Sequence, residues 1–436
     1  MNLTKPGWLR RYLDFRRVQA FPERLPSTGA RLLADDSVHN SMDEAIYYFI
    51  QPTGIMYGLP TRLPDDTVTF PKSKYHSSQD WALLAFLESL FGCLVADRHF
   101  LLEGLAEEED RLTPAIDVAA QYFLHDQASA PEGMISSITR IIRRTDRLES
   151  ALLHQLRPAY NRFRTPQLFS NSYLFMDLYN CILWQRNALM GGGGPDMLDE
   201  LVQGQRAQKL ALIRLVIAAG WSDNMLSRYE SYLVSQLIRG SRLPAVEQRA
   251  LQQIAERGIG LDEIDLPPMP WLLRRFILEL IMLMVLIDQE FNQRELAFVE
   301  AMIERLGLWP VELEQSRTAL ELFLMNQHDR LFYLDWRPSV FGIGDRLRER
   351  ATLAVRANLD SIVTEIRETQ ELYTLLMKST RQKLDAEEKA KVRAQLMDIL
   401  KTIPALAIFA LPGGGLALPI VIRLLPFNIL PSAFDD

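Results

Sequence analysis

Residues 402–422 read TIPALAIFALPGGGLALPIVI, 21 positions without one charge. Arg423 follows, and a second apolar run, LLPFNILPSAF, occupies 424–434. A helix that crosses a bilayer core needs about 20 apolar residues. The stretch therefore predicts a membrane segment carried by an otherwise soluble body. Pro404, Pro412 and Pro419 interrupt it, and Gly413, Gly414 and Gly415 sit at its centre. Proline removes a helix hydrogen bond, and in lipid the freed carbonyl must find another partner. A kinked or re-entrant hairpin, or a segment packed on copies of itself, suits this pattern better than a plain anchor. The glycines would allow close helix approach. Arg423 is the only charge between Thr402 and Phe434. It is placed either to snorkel to an interface or to face a polar path.

The body that precedes this segment is of ordinary globular composition. Hydrophobic residues make up 48% and charged residues 24% of 436 positions, which predicts two or three domains with real cores. The net charge of −7 argues against nucleic acid as a partner. Cys93 and Cys181 both lie in apolar helical stretches and are expected as buried thiols in a reducing cytosol. The start, MNLTKPGWLRRYLDF, has no apolar core of a signal peptide.

The body reads as all-α. Ser41 precedes MDEAIYYFI, Ser78 precedes a long amphipathic run, and Thr113-Pro114 opens AIDVAAQYFL as a cap followed by proline at the first helical position. Ile135, Ile138, Ile141, Ile142, Leu148, Leu152 and Leu156 keep helical spacing. Residues 51–75, rich in Pro, Thr and Gly, read as irregular loop or a small hairpin. Gly191, Gly192, Gly193, Gly194 and Pro195 are the clearest internal punctuation. They lack the Lys-Ser/Thr of a nucleotide loop and read as a linker. Residues 276–287, FILELIMLMVLI, are too short to span a membrane and predict a buried core helix around Glu279.

Two helical halves follow the linker, LALIRLVIAAGWSDNMLSRYESYLVSQLI and ILELIMLMVLIDQEFNQRELAFVEAMIERLGL. Each turn carries a capping-box pattern, Ser227 with Glu230 and Asn292 with Glu295. Asp288, Glu290, Asn292 and Glu295 also resemble the opening of a calcium loop. Its sixth position, however, is Gln293 and its twelfth Val299, where glycine and glutamate are needed. Capping is therefore the expected role of these acids.

After Pro338 a charged helix carries Leu347, Leu353, Leu359, Val363 and Ile366 as an apolar stripe, either a dimer seam or a face packed on the body. Residues 378–401 hold seven basic side chains against four acidic ones. Basic residues beside a membrane segment favour the cytoplasmic side and anionic lipid. The six histidines show no metal-type pairing, and no HExxH, GxSxG or CxxC occurs. An interaction protein is expected rather than an enzyme, with no cofactor unless the acidic turn takes a divalent cation.

Two resemblances add to this reading. Residues 410–434, ALPGGGLALPIVIRLLPFNILPSAF, resemble the membrane segment of the leucine-zipper, EF-hand-containing transmembrane (LETM) family, through Leu425, Pro426, Asn428, Leu430, Pro431, Ser432 and Phe434. The resemblance implies a bacterial, LETM-related, biofilm-associated type of protein, or a part in cation/proton exchange. Only Asp435 and Asp436 follow the motif, so the family's ribosome binding is not expected. Residues 209–324 resemble the TerB-like helical fold of tellurite-resistance proteins. That resemblance implies divalent metal binding at Asp288, Glu290 and Glu295.

The expected organisation is an N-terminal helical domain (1–195), a TerB-like domain (196–335), a charged helical connector (336–401) and a LETM-like membrane segment (402–436). The expected function is a scaffold or sensor of a bacterial envelope, stress or biofilm-related system. It would bind a protein partner, with its body in the cytoplasm and its tail in the inner membrane. The alternative is a subunit or accessory of a cation/proton exchanger, which one span per chain could form only as a homo-oligomer.

Overall fold

The computed structural model describes residues 5–22, 25, 41–64, 68, 70, 78–102, 110–125, 137–156, 168–169, 171–192, 194–222, 225–286, 293–327, 343–380, 382, 384–410 and 417–425. The fold is all-α, and no strand occurs among the described residues. In chain order the helices are α1 (Trp8–Val18), α2 (Ser41–Ile50), α3 (Ser78–Leu101), α4 (Leu112–Phe123), α5 (Ser137–Leu156) and α6 (Tyr173–Leu189). Next come α7 (Pro195–Gly220), α8 (Arg228–Gly240), α9 (Ala245–Arg257), α10 (Trp271–Leu286), α11 (Gln293–Leu306) and α12 (Pro310–Asn326). The last six are α13 (Ile343–Ala357), α14 (Leu359–Glu368), α15 (Gln370–Ser379), α16 (Ala386–Thr402), α17 (Pro404–Ala410) and α18 (Ala417–Leu424).

The chain forms two compact units. Unit 1 is Met1–Leu25 with Phe49–Trp309, and unit 2 is Pro26–Tyr48 with Pro310–Asp436. In unit 1, α3 packs on α6 and α7 packs on α10. α10 is apolar except at Arg274, Arg275 and Glu279, and it is buried over nearly its whole length. Phe175 of α6 meets Phe276 of α10 with ring centroids 4.7 Å apart. Gln205 of α7 donates to Asp177 of α6 at 2.7 Å, and the Tyr173 hydroxyl donates to the Leu237 carbonyl at 2.9 Å. Residues on both sides of the glycine run thus share one core. Gly191, at φ 84°, lies in the turn after α6, and Pro195 starts α7 where its missing N–H costs nothing.

Charges inside unit 1 are paired, because an isolated buried charge is prohibitive. Glu279, the single charge in the expected core helix, accepts from the Tyr57 hydroxyl at 2.6 Å and lies 3.9 Å from Arg275. Gln51 donates in turn to Tyr57 at 2.8 Å. Asp97 takes Arg186 at 2.7 Å, and Glu88 accepts from Tyr12 at 2.7 Å. Burial, and then the Glu88 carboxylate, push the Tyr12 hydroxyl well above its ordinary pKa, so it remains a donor. Burial likewise raises the Cys93 and Cys181 thiols, which are both buried and unbridged.

Two local expectations change. α4 starts at Leu112, before Thr113. The Asp110 carboxylate accepts from the N–H groups of Leu112 and Thr113, both at 3.1 Å, and from the Thr113 hydroxyl. A carboxylate that takes two free N–H groups and a hydroxyl outcompetes a lone hydroxyl cap. Those contacts, led by the Thr113 hydroxyl, hold the Asp110 pKa below its usual range. The segment expected as loop after residue 51 begins instead as a buried turn. Residues 51–53 form a short 3₁₀ helix, and Gly54 and Gly58 follow with φ of 81° and 72°. The Tyr57 carbonyl accepts from Phe169 N–H at 2.9 Å. A Cβ on Gly58 would sit 2.7 Å from Asn171 N and 2.9 Å from the Phe169 carbonyl carbon.

Gly58→Ala should therefore destabilise unit 1 by at least about 2 kcal/mol. Left-handed strain accounts for about 1–3 kcal/mol, and the backbone around Asn171 must also move. Urea unfolding followed by circular dichroism checks this.

Candidate functional site

The apolar C-terminal run is the one stretch that the sequence singles out for function. Where described, it is two short helices. α17 has 7 residues and α18 has 8. At 1.5 Å per residue they are about 10 and 12 Å long, against about 30 Å of hydrocarbon. Among the described residues no helix is long and apolar enough to cross a membrane. Pro404 is the first residue of α17, and Pro419 is the third of α18. Both stand in first turns, where backbone N–H groups have no partner within the helix. They begin helices, whereas the sequence suggested that they kink one. Pro412, Gly413, Gly414, Pro426, Asn428, Pro431 and Ser432 lie outside the described residues.

α17 packs against α12, α13, α16 and α18, and α18 packs against α13 and α16. Leu406, Ala407, Ile408, Phe409 and Ala410 are buried in succession, so α17 is enclosed from Leu406 on, and Ala405 in its first turn is exposed. From α18, Ala417, Leu418 and Val421 point inward, and Pro419 and Arg423, one turn apart, are exposed. The wall on α13 is Leu347, Ala351 and Val355, all fully buried at i, i+4 and i+8. Val392, Leu396 and Leu400 are the fully buried positions of α16.

The stripe expected through Leu353 and Leu359 is corrected twice. Leu353 lies six residues after Leu347, off the buried face, and α13 ends before Asn358 and α14 starts after it, so the register resets there. Leu353 is 59% exposed, and α14 buries Ile362, Val363 and Ile366. Both buried stripes lie within unit 2.

Ion pairs brace this framework. Glu321 of α12 is buried and takes Arg317 at 3.4 Å, Arg346 at 3.7 Å and Arg350 at 3.1 Å. It ties α12 to α13. The signal in the sequence was i, i+4 spacing, Arg317 to Glu321 and Arg346 to Arg350, but nothing there says that the two pairs meet. On α16, Asp385 and Glu388 form a capping box, and Glu388 also binds Lys378 of α15. Lys391 binds Glu371, which accepts from Gln395 at 3.0 Å. These contacts, the Lys391 hydrogen bond first, lower the Glu371 pKa, and the same bond raises that of Lys391. Three of the basic residues expected to face lipid, Lys378, Lys391 and Lys401, thus have acidic partners in their own unit.

Of the acidic turn, Asp288 and Glu290 lie outside the described residues, and Glu295 is the third residue of α11. The corresponding cap in the first half is described. Ser227 Oγ accepts from Glu230 N–H at 3.2 Å, and Glu230 Oε2 accepts from Ser227 N–H at 2.7 Å. Among the described residues no group of three or more His, Cys, Asp or Glu is placed to hold a metal.

Comparison with protein-family models, curated proteins and solved structures finds no match for this chain.

Two outcomes are expected. Glu321→Ala should cost about 1–3 kcal/mol, the scale of lost hydrogen bonds to a charged group, because the three arginines left behind keep access to water. Urea unfolding with the Arg317→Ala variant as the milder reference measures it. Deleting 402–436 removes α17 and α18 from α12, α13 and α16, so the truncated chain should bind the dye ANS and melt earlier than the full chain. Equal melting and no dye signal would show that the hairpin is not core.

Proposed function

We propose that this chain is a scaffold that binds a protein partner with its helical body and is tethered to the bacterial inner membrane, on the cytoplasmic side, by the α17–α18 hairpin. The charge-free run carries the reading. Its described parts are two short apolar helices, ended by an exposed arginine. Leu406, Ile408, Phe409, Leu418 and Val421 are apolar and already out of water inside unit 2, so a tether moves them from one apolar seat to another. Helices of about 10 and 12 Å favour a hairpin dipping into one leaflet over a span. The similarity of residues 410–434 to the LETM segment supports a membrane role, and the TerB-like resemblance of the body supports a setting in an envelope, stress or biofilm-related system.

Sedimentation of lysed cells tests the tether. The chain is expected in the membrane pellet, resistant to high salt and released by mild detergent. Complete recovery in the high-speed supernatant would overturn the reading.

A further inference from the structure

The tether reading has a structural consequence, and the inference drawn from it rests on that reading. The side chains that would enter lipid are the same ones that fill unit 2. Leu406, Ala407, Ile408, Phe409 and Ala410 are buried, and Ala417, Leu418 and Val421 face inward. A side chain cannot face acyl chains and α13 at once. We infer that the α17–α18 hairpin has two mutually exclusive seats, the cradle of unit 2 and the lipid surface, and that α13 and α16 sheathe it until a membrane takes it over.

Three observations make the exchange feasible. First, every inward-facing described side chain of α17 and α18 is apolar. Lipid tails are as apolar as leucine, so leaving one apolar seat for another forfeits no directional bond. The joints around the cradle are built differently. Glu321 clamps α12 to α13 through Arg346 and Arg350, and Lys378 and Lys391 clamp α15 to α16 through Glu388 and Glu371. Each wall helix thus keeps a partner of its own, α12 for α13 and α15 for α16, when the occupant leaves.

Second, one residue hinges the hairpin. Ile403, between α16 and α17, is extended at φ −97° and ψ 111°. Pro404 imposes this conformation on the residue before it. The Ile403 carbonyl accepts from Leu406 and Ala407 N–H, both at 2.9 Å, which starts α17 afresh. The helical ladder is interrupted at Ile403, so α17 can part from α16 without either helix unwinding.

Third, Arg423 is exposed at the end of α18 and makes no hydrogen bond or ion pair among the described residues. It holds nothing in the stowed state. With α18 in a leaflet its guanidinium would reach the phosphate level, and anionic lipid would be the preferred surface.

Hydrogen exchange on the full-length wild-type chain, with and without vesicles of mixed zwitterionic and anionic lipid, tests the sheath. In vesicle-bound protein the amides of α13 and α16 should exchange at least tenfold faster, and those of α17 and α18 should stay protected. Unchanged protection of α13 and α16 in protein that floats with vesicles would overturn the sheath and leave the tether standing. Flotation of variants separates the two readings further. Leu347→Ala with Val355→Ala loosens the cradle and should bind vesicles at least tenfold more tightly than wild type. Ile408→Asp with Phe409→Asp should open the cradle to ANS and lose vesicle binding. If the loosened variant binds ANS but not vesicles, the tether itself fails. If it binds vesicles no better than wild type, the sheath fails.

Discussion

A helix that is apolar on every side exists in water only where every side is covered. Each unit holds a helix close to that limit. In unit 1 it is α10, wrapped over nearly its whole length although it carries Arg274, Arg275 and Glu279. In unit 2 it is α17, only seven residues long, with α12, α13, α16 and α18 around it. Coverage of this kind fixes the neighbours. α13 must present small and branched side chains at one spacing, as Leu347, Ala351 and Val355 do, and α16 must match it from another side. Glu279 shows what admitting a charge to such a helix requires. Its partner, the Tyr57 hydroxyl, is 222 positions away in sequence and is oriented in turn by Gln51.

Directional contacts are distributed unevenly in unit 2. Joints between wall helices carry carboxylates shared among cations, with Glu321 and its three arginines the densest case. Such hubs hold orientation, since geometry as well as distance must be satisfied. The hairpin has shape and apolarity to hold it. The two kinds of joint differ in what they exclude. The first resists sliding of α13 over α12, and the second resists only exposure to water.

Much of the helical layout was legible because period and caps are local. Ser227 and Glu230 lie three residues apart and form the box their spacing implies. The core helix expected at 276–287, described as far as Leu286, was legible because eleven apolar residues around one glutamate are too few for lipid and too many for a surface. The α4 cap was misplaced because Thr113 with Pro114 looks like a cap, whereas Asp110 offers a stronger acceptor nearby. The stripe was misdrawn because Leu353 lies six residues after Leu347, off its face, and because the break at Asn358 gives α14 a new register. The candidate site posed a deeper difficulty. Hydropathy counts residues and does not say whether acyl chains or other helices surround them. Only the lengths of α17 and α18 and the burial of Leu406 and Val421 bear on that, and both are tertiary facts.

Unit 2 is discontinuous in sequence, and its helices α12 to α16 all precede the hairpin they enclose. During synthesis the cradle residues therefore leave the ribosome before α17 and α18 are made. The growing chain can collapse locally as it emerges, so the nascent hairpin finds a protein receptor at hand. Its earliest apolar contacts are intramolecular, at an effective concentration that no lipid surface can match. The order of the chain thus makes burial against α12, α13 and α16 available to α17 and α18 as soon as they are made.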